Sequence, residues 1–511
     1  MSHFSKERGS VNFMSIVLVN PNLVVQKADP LTTGVVYMPI TLAYVAAALR
    51  ASGLSVDVID AYGEAPLQAR SPSGAGAFWM FGLSEDEVIA RVPREPRLFI
   101  VYAINLTNHV STVGIVRSLK RHFPDVPLLV LENPNAVTAY ALNEVKGAFF
   151  EAGADFILTG YAERSAVALA KAVCDGLAIN KACGILGLGG RDFKTAPALE
   201  QDVELPYPAW DLFPLKNYWS LRFAHGPVTG RKYLPILTSR GCPYGCRFCV
   251  TPAVSGQHWH GREPGDVVAE MAFWKKSQGV EEFHFEDLNP TVSEDRIRRI
   301  CEDLLARKLE VTWKLVSGTK AETIRDMATV DLMARAGCRY VSISPETGSA
   351  RVLQSMGKPF DVPHGMRLLR ALGQAGIYSQ ACFVLGFPGE EDSDRVLTEK
   401  LVREAVQSGV DEIALFVITP VPGSAIFREF NGYSSLSELN FSPVWRKDYV
   451  KLSAFRRRLY AKFLWWKLRY RPGALLAQPW RFLTRKFETK MEMVPYRAAV
   501  LFLAGSRKGK K

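Results

Sequence analysis

Short apolar runs alternate with helix-period patterns along most of this chain. Ser15-Ile16-Val17-Leu18-Val19 runs into Asn20-Pro21-Asn22, a buried strand followed by a loop. Over 39–52, Leu42, Val45, Ala46 and Leu49 share one face, and Gly53 stops the predicted helix. Further strands are predicted at 56–60, 98–102, 128–131 and 156–159, with helices over 113–123 and 163–174. Strand–helix alternation of this kind predicts an α/β fold: a doubly wound parallel sheet over 13–175, with ligands at the C-terminal ends of its strands. Residues 1–12 read as a disordered start. A Gly/Pro/Ser-rich insertion interrupts the alternation before residue 98.

Residues 176–231 are rich in Gly, Pro and aromatics without sustained period, and read as a linker crossing between domains. From 232 the pattern becomes strand, loop, helix, repeated about six times, which predicts a partial (β/α)6 barrel over 232–445. Its strands are predicted at 233–237, 282–289, 311–316, 340–349, 381–390 and 412–423, with helices over 266–277, 294–307, 322–336, 361–375 and 392–408. Catalytic groups in such barrels lie at the strands' C-terminal ends. Beyond Val450, Phe455, Leu459, Phe463, Trp466 and Tyr470 step by four, four, three and four, the single apolar face of a helix flanked by Arg and Lys. The extension 446–511 therefore reads as basic and helical, with Lys508-Gly509-Lys510-Lys511 a disordered end.

Composition narrows the class. A chain of 511 residues, 48% hydrophobic and 22% charged, is globular and divides into roughly two to four domains. Three of eight cysteines cluster; Cys174, Cys183, Cys301, Cys338 and Cys382 are scattered singly, which fits a reducing cytoplasm rather than a disulfide framework. Charge is uneven. Residues 446–511 carry 19 Lys/Arg against 3 Asp/Glu, whereas the rest has 44 against 48, so the excess of +12 belongs to the tail. The body gains no support for binding nucleic acid. No apolar run is long enough to span a membrane, but a basic amphipathic helix with interfacial Trp suits the periphery of an anionic membrane as well as it suits a lid packed on the barrel.

The chemistry concentrates in Cys242-Pro243-Tyr244-Gly245-Cys246-Arg247-Phe248-Cys249, which sets three thiols at C-x3-C-x2-C after the first barrel strand. Thiolates suit iron–sulfur clusters or zinc, and a closed zinc site or an ordinary [4Fe-4S] cluster wants four protein ligands. A zinc loop or a chance cluster is the alternative reading. The motif resembles that of the radical S-adenosylmethionine (SAM) enzymes. The resemblance implies that Cys242, Cys246 and Cys249 hold a [4Fe-4S] cluster whose open iron chelates SAM, which one electron cleaves to a 5'-deoxyadenosyl radical. It places Phe248 beside the adenine, Glu286 (or Asp287) near the SAM ammonium, and Glu346 near the ribose or methionine part. It assigns the turns Gly386-Phe387-Pro388-Gly389 and Pro420-Val421-Pro422-Gly423 to the adenine frame. Solvated helix caps are the bland reading of such strand-end acids.

Gly82-Leu83-Ser84-Glu85-Asp86-Glu87-Val88, Gly153-Ala154-Asp155-Phe156 and Gly160-Tyr161-Ala162-Glu163 resemble the cobalamin-binding domain that precedes this core in many bacterial enzymes. Tyr161 and Ala162 depart from the usual Gly-Glu-Gly-Glu. The Asp-x-His-x-x-Gly signature for a lower ligand to cobalt is absent, leaving His109 as the nearest candidate, with a helix-start histidine as the alternative. A Rossmann-like domain without cofactor is the rival reading; a dinucleotide is disfavoured because no G-x-G-x-x-G follows the first strand. Leu205-Pro206-Tyr207-Pro208-Ala209-Trp210-Asp211 resembles the segment that leads into the cluster strand.

The resemblance implies an enzyme that functionalises an unactivated carbon, with the cluster, SAM and cobalamin as cofactors. Methyl transfer using two SAM molecules is the first reading. Radical cyclisation or ring contraction of a tetrapyrrole or isoprenoid lipid, similar to the anaerobic porphyrin-ester cyclases, is the second. An iron–sulfur electron carrier or sensor is the reading of another class. A small-molecule or lipid-like substrate and a reductant such as flavodoxin or ferredoxin are the implied partners. Tyr102, Trp259, Trp313, Tyr340 and Tyr378 are candidate pocket aromatics, with core filling as their alternative.

Overall fold

The computed structural model describes residues 15–71, 76–136, 138–176, 185–187, 205–440 and 442–506. The expected disordered start, Cys183, linker residues 177–184 and 188–204, and the Lys-rich end lie outside the described residues.

Six strands form the first sheet: β1 (Ser15–Asn20), β2 (Ser55–Asp60), β3 (Pro96–Ala103), β4 (Leu128–Glu132), β5 (Phe156–Leu158) and β6 (Ile185–Gly187). Their order is β2-β1-β3-β4-β5-β6, parallel except for β6. Helices α1 (Ile40–Ala51), α2 (His109–His122) and α3 (Glu163–Cys174) cover it on both faces. Ile16 and Leu18 pack with Leu42, Val45 and Leu169, whereas Val17 and Val19 pack with Ile115 and Leu119. A strand buried on both sides needs apolar residues at every position, which is why the sequence shows runs there rather than alternation. The Gly/Pro/Ser-rich insertion contributes Ala69–Arg70 and Phe78–Phe81, which join Leu23–Gln26 in a three-stranded antiparallel sheet with Phe78–Phe81 in the middle. Elements of two to four residues leave no readable period.

The linker does more than cross. Its Ile185–Gly187 pairs antiparallel with β5. Trp210 and Tyr218 are fully buried, the Ala209 amide donates to the Ala43 carbonyl at 3.0 Å, and the Tyr218 hydroxyl donates to Asp60 at 2.7 Å. The segment before the cluster strand is thus pinned to the first sheet.

The second sheet runs strictly in chain order: β7 (Tyr233–Ile236), β8 (Glu282–Phe285), β9 (Thr312–Thr319), β10 (Cys338–Glu346), β11 (Tyr378–Leu385) and β12 (Glu412–Val417), all parallel. Helices α4 (Pro264–Gln278), α5 (Glu294–Ala306), α6 (Met327–Arg335), α7 (Val362–Gln374) and α8 (Asp392–Gln407) follow successive strands. Four predicted strands ran past their ends into 286–289, 347–349, 386–390 and 418–423; those residues are turns at the strand mouths. A two-turn helix, Ala350–Met356, escaped the periodicity. Near the opposite end of this sheet, buried Glu282 accepts from Lys314 at 3.1 Å, His284 Nε2 at 2.7 Å and the Gly230 amide at 2.8 Å.

The tail is helical: α9 (Tyr449–Tyr470), α10 (Pro472–Leu476), α11 (Gln478–Thr484) and α12 (Lys490–Ser506). Leu452, Phe455, Leu459, Phe463 and Trp466 are buried in the core, with α9 lying along α8 and β12; Tyr470, the last member of the predicted face, is exposed. The Tyr460 hydroxyl accepts from the Leu415 amide at 3.1 Å, and Lys467 Nζ donates to the Asp411 carbonyl at 2.6 Å, so the tail covers edge strand β12. The apolar face of α9 is therefore that of a lid packed on the sheet. Further on, α12 returns to the first half of the chain: Arg497 donates to the Leu31 carbonyl at 2.7 Å, and Phe502 meets Trp79 edge-on at 5.8 Å. Among the described residues no helix is long and apolar enough to cross a membrane.

Candidate functional site

The strand mouths of both sheets open into one pocket of about 230 Å³. The first sheet supplies Leu106 and Thr107 after β3 and Thr138 after β4; the second supplies residues after β7, β8, β9, β10 and β12; Leu439 and Asn440 close one side. Cys242, Cys246 and Cys249 all line it.

The loop that carries the thiols is held from three directions. After β7 the chain forms a ribbon in which Ser239–Gly241 pairs antiparallel with Trp259–Gly261. Gly241 has φ +72°, and a Cβ there would stand 2.1 Å from the His258 carbonyl oxygen, so only glycine fits. Asp287, just beyond β8, accepts from the Thr238 amide at 3.1 Å and from the hydroxyls of Thr238 at 2.8 Å and Ser239 at 2.5 Å. The Arg247 amide donates to the Met356 carbonyl at 3.0 Å. From the first sheet's side, Glu163 at the start of α3 takes Arg240 through both guanidinium nitrogens, at 2.6 and 3.2 Å, while the Tyr161 ring lies 5.0 Å beneath that guanidinium. Tyr161, a departure from the cobalamin-domain pattern, thus stacks against the residue two before Cys242.

Burial pushes the thiols of Cys242 and Cys246 up, the latter to about 11, with the Lys358 ammonium acting in the opposite sense. A metal that binds such thiols displaces their protons. Among the described residues no three His, Cys, Asp or Glu side chains converge on a single metal ion. Three soft donors on one loop suit a multi-iron cluster with one corner left for another ligand; a fourth thiol that lines the pocket, Cys382, stands apart on β11, where its sulfur meets Gln380 at 3.4 Å and Ser342 at 3.5 Å.

Glu346 ends β10 inside the pocket. Its φ of +65° lies in the left-handed region, which a non-glycine residue occupies at a cost, and its carboxylate pairs with Lys358. Burial raises the Glu346 pKa while Lys358 opposes the rise; the Lys358 ammonium loses solvation, yet Glu346 and Cys246 hold its pKa above the ordinary range. Lys358 also lies 5.8 Å over the ring of Phe248, another lining residue.

Other expected residues are placed differently. Glu286 is not among the lining residues: it is half-buried and accepts from His225 Nδ1 at 2.7 Å. Burial works to raise its pKa, but His225 more than offsets this. Asp287 is spent on anchoring the thiol loop, and the lining residues after β8 are Leu288 and Asn289. His109 is likewise away from the pocket. It is the first residue of α2, its Nδ1 is 3.2 Å from the Tyr140 hydroxyl, and its ring sits edge-on to Tyr140 and Phe149; burial lowers its pKa to about 4. Its Nδ1 is engaged with Tyr140, and the ring is not part of the lining of this pocket.

Gly386, Pro388, Gly389, Pro420 and Pro422 stand behind the lining, which their neighbours Val384, Ile418, Thr419 and Val421 provide. Arg446 ties the two turns together, donating to the carbonyls of Gly386 at 3.0 Å and Ile418 at 2.8 Å, and the Pro422 carbonyl accepts from the Ala141 amide at 2.9 Å. Of the candidate aromatics, Tyr102, Trp313 and Tyr340 fill the core; Trp259 donates to the Asn289 carbonyl at 3.0 Å, and Tyr378 accepts from Arg481 at 2.6 Å. Sequence reading missed Lys358, Asn289, Lys320, Thr107 and Thr138. Asn289 adjoined a strand-end acid already singled out; nothing in the spacing marked Lys358.

Comparison with known proteins follows the same lines. Residues 236–402 match the family model described as the radical SAM superfamily. The chain is 26% identical over 456 residues to cytidylyl-2-hydroxyethylphosphonate methyltransferase of Streptomyces wedmorensis, covering 82% of each chain. It is 26% identical to the anaerobic magnesium-protoporphyrin IX monomethyl ester cyclase of Synechocystis sp., covering 78% of each. Among solved structures it is similar to the radical SAM methyltransferase TsrM of Kitasatospora setae with tryptophan and a SAM analogue, at TM-score 0.60 and 19% identity over 81% of this chain and 75% of that one. A second structure of TsrM, with cobalamin and a [4Fe-4S] cluster bound, has TM-score 0.58 and 19% identity, covering 81% and 77%.

Proposed function

With a radical SAM domain in this chain as the premise, we propose that it is a cobalamin-dependent radical SAM enzyme that methylates an unactivated carbon of a small molecule. The observation that carries this reading is the convergence of three thiols, the Glu346–Lys358 pair and the strand mouths of both sheets on one largely apolar pocket. In this reading residues 13–175 are the cobalamin domain, 232–445 a partial (β/α)6 barrel, and Cys242, Cys246 and Cys249 the cluster ligands. When bound, the cluster and SAM supply a carbon-centred oxidant, and cobalamin supplies the methyl group.

The protein's own part is binding and orientation. Phe248 offers a flat face for the adenine. Glu346 accepts hydrogen bonds from hydroxyl or ammonium groups of SAM, and Lys358 pairs with it. The turns at 386–389 and 420–423 hold the adenine side of the pocket from behind. Leu288, Val384, Phe416, Ile418 and Val421 exclude water, which a radical reaction requires. Glu286 and His109 have no part in it.

A cyclisation reading stands second, supported by the likeness to the porphyrin-ester cyclase and by the apolar walls. The test is anaerobic reconstitution of the full chain with iron, sulfide and cobalamin, followed by reduction in the presence of SAM. Expected are 5'-deoxyadenosine, a cobalamin absorption spectrum, and loss of the first in Cys246→Ala. A protein that carries iron yet never cleaves SAM would be an electron carrier, and the proposal would fall.

A further inference from the structure

The buried face of α9 leaves unexplained what lies on its other side. Leu464, Trp465 and Leu468 recur at i, i+1 and i+4 on the face turned away from the core, and Trp465 is 60% exposed. Across the bend at Arg471, Leu476, Trp480 and Leu483 continue at i, i+4 and i+7 along α10 and α11, exposed to 80%, 69% and 75%. Exposed tryptophan and leucine side chains recurring on successive, mutually packed helices are what an interaction surface is made of.

The charges of the segment itself have one sign, and two of its lysines, Lys451 and Lys462, are paired with Asp392 and Glu399 of α8. Between Tyr449 and Phe487 the chain has eleven Lys or Arg and no Asp or Glu. Some of these cations face inward, as Lys467 and Arg471 do. Arg457, Arg458, Arg469, Arg485 and Lys486 are exposed. A second copy of this chain would set cations against cations. Nucleic acid would satisfy the charge but leave the leucines in water. An anionic bilayer satisfies both, taking the apolar stripe at headgroup depth and the cations against its phosphates.

We propose that the outward face of α9 to α11 is a docking surface for an anionic phospholipid membrane, on which the protein lies without crossing it. The inference does not rest on the chemistry assigned to the pocket. The test uses the full chain, purified anaerobically with its iron, and flotation with vesicles of phosphatidylcholine alone or with about 30% phosphatidylglycerol. The wild type floats at least about tenfold more with the anionic vesicles, and about 0.5 M salt weakens this. The triple variant Trp465→Ser/Trp480→Ser/Leu483→Ser loses at least about fivefold of that binding. Its thermal midpoint and SAM cleavage stay unchanged, and Val396→Ser, at a 66% exposed apolar position on α8, has no effect. Independently of any variant's folding, brominated acyl chains in the anionic vesicles quench wild-type tryptophan emission. Absence of flotation, absence of quenching, equal flotation of the triple variant, or a dimer that the triple variant abolishes and vesicles do not displace would each overturn the proposal.

Discussion

Glu346 combines two costs, a left-handed backbone and a buried carboxylate, at one position in the pocket. A side chain kept under such conditions points to a functional demand on it. Glu346→Gln keeps the shape and removes the charge. By the worth of a charge-assisted hydrogen bond, about 1.5–3 kcal/mol, SAM should bind about ten- to a hundredfold more weakly while iron content is retained; equilibrium binding to the reconstituted protein measures both. His109 gives a prediction of a different kind. Its folded pKa of about 4 lies below the ordinary 6.5 because burial disfavours the imidazolium. Between these values the unfolded chain holds the proton and the folded one does not, so stability is present above pH 6.5 and declines as pH falls towards 4, by up to about 1.4 kcal/mol per unit. His109→Gln should flatten that part of the urea-midpoint profile and leave the cobalamin spectrum as it was.

At the scale of elements, the ribbon that presents the thiols depends on a single glycine. Gly241→Ala would drive a methyl group into the His258 carbonyl from a conformation alanine avoids. We expect about 1–3 kcal/mol of strain there and, since the ribbon leads directly into Cys242, a marked fall in iron bound per chain, measured against an unchanged far-ultraviolet circular dichroism spectrum. This ribbon also marks the limit of what the sequence made legible. The long parallel strands were readable because two-sided burial writes unbroken apolar runs, and the thiols because their spacing is a chemical signature. Glu286 and Asp287 were not: whether a strand-end acid turns to the pocket, to His225 or to Thr238 depends on partners far away in the chain. Lys358 was invisible for the same reason, its meaning arising only where it meets Glu346.

For the whole molecule, the contact between Glu163 and Arg240 ties the first sheet directly to the loop that carries the thiols. With both side chains mostly buried, Glu163→Gln leaves an uncompensated guanidinium, and about 3 kcal/mol of stability should be lost. Arg240→Met in the same chain should restore part of it, which a double-mutant cycle on urea midpoints would reveal. The electron spin resonance signal of the reduced cluster should broaden in the single variant if the loop loosens.

The return of α12 to Leu31 and Trp79 has a bearing on biosynthesis. Segments emerge from the ribosome in order, and the earlier ones begin to fold while later ones are still being made. Here the Leu31 carbonyl that accepts from Arg497 is translated 466 residues ahead of it, and Glu412 precedes the amides of Lys490 and Met491 by 78 and 79 residues. Closure of this seam therefore waits for α12 to emerge, and a nascent chain arrested before Lys490 would hold both sheets with the seam unable to shut.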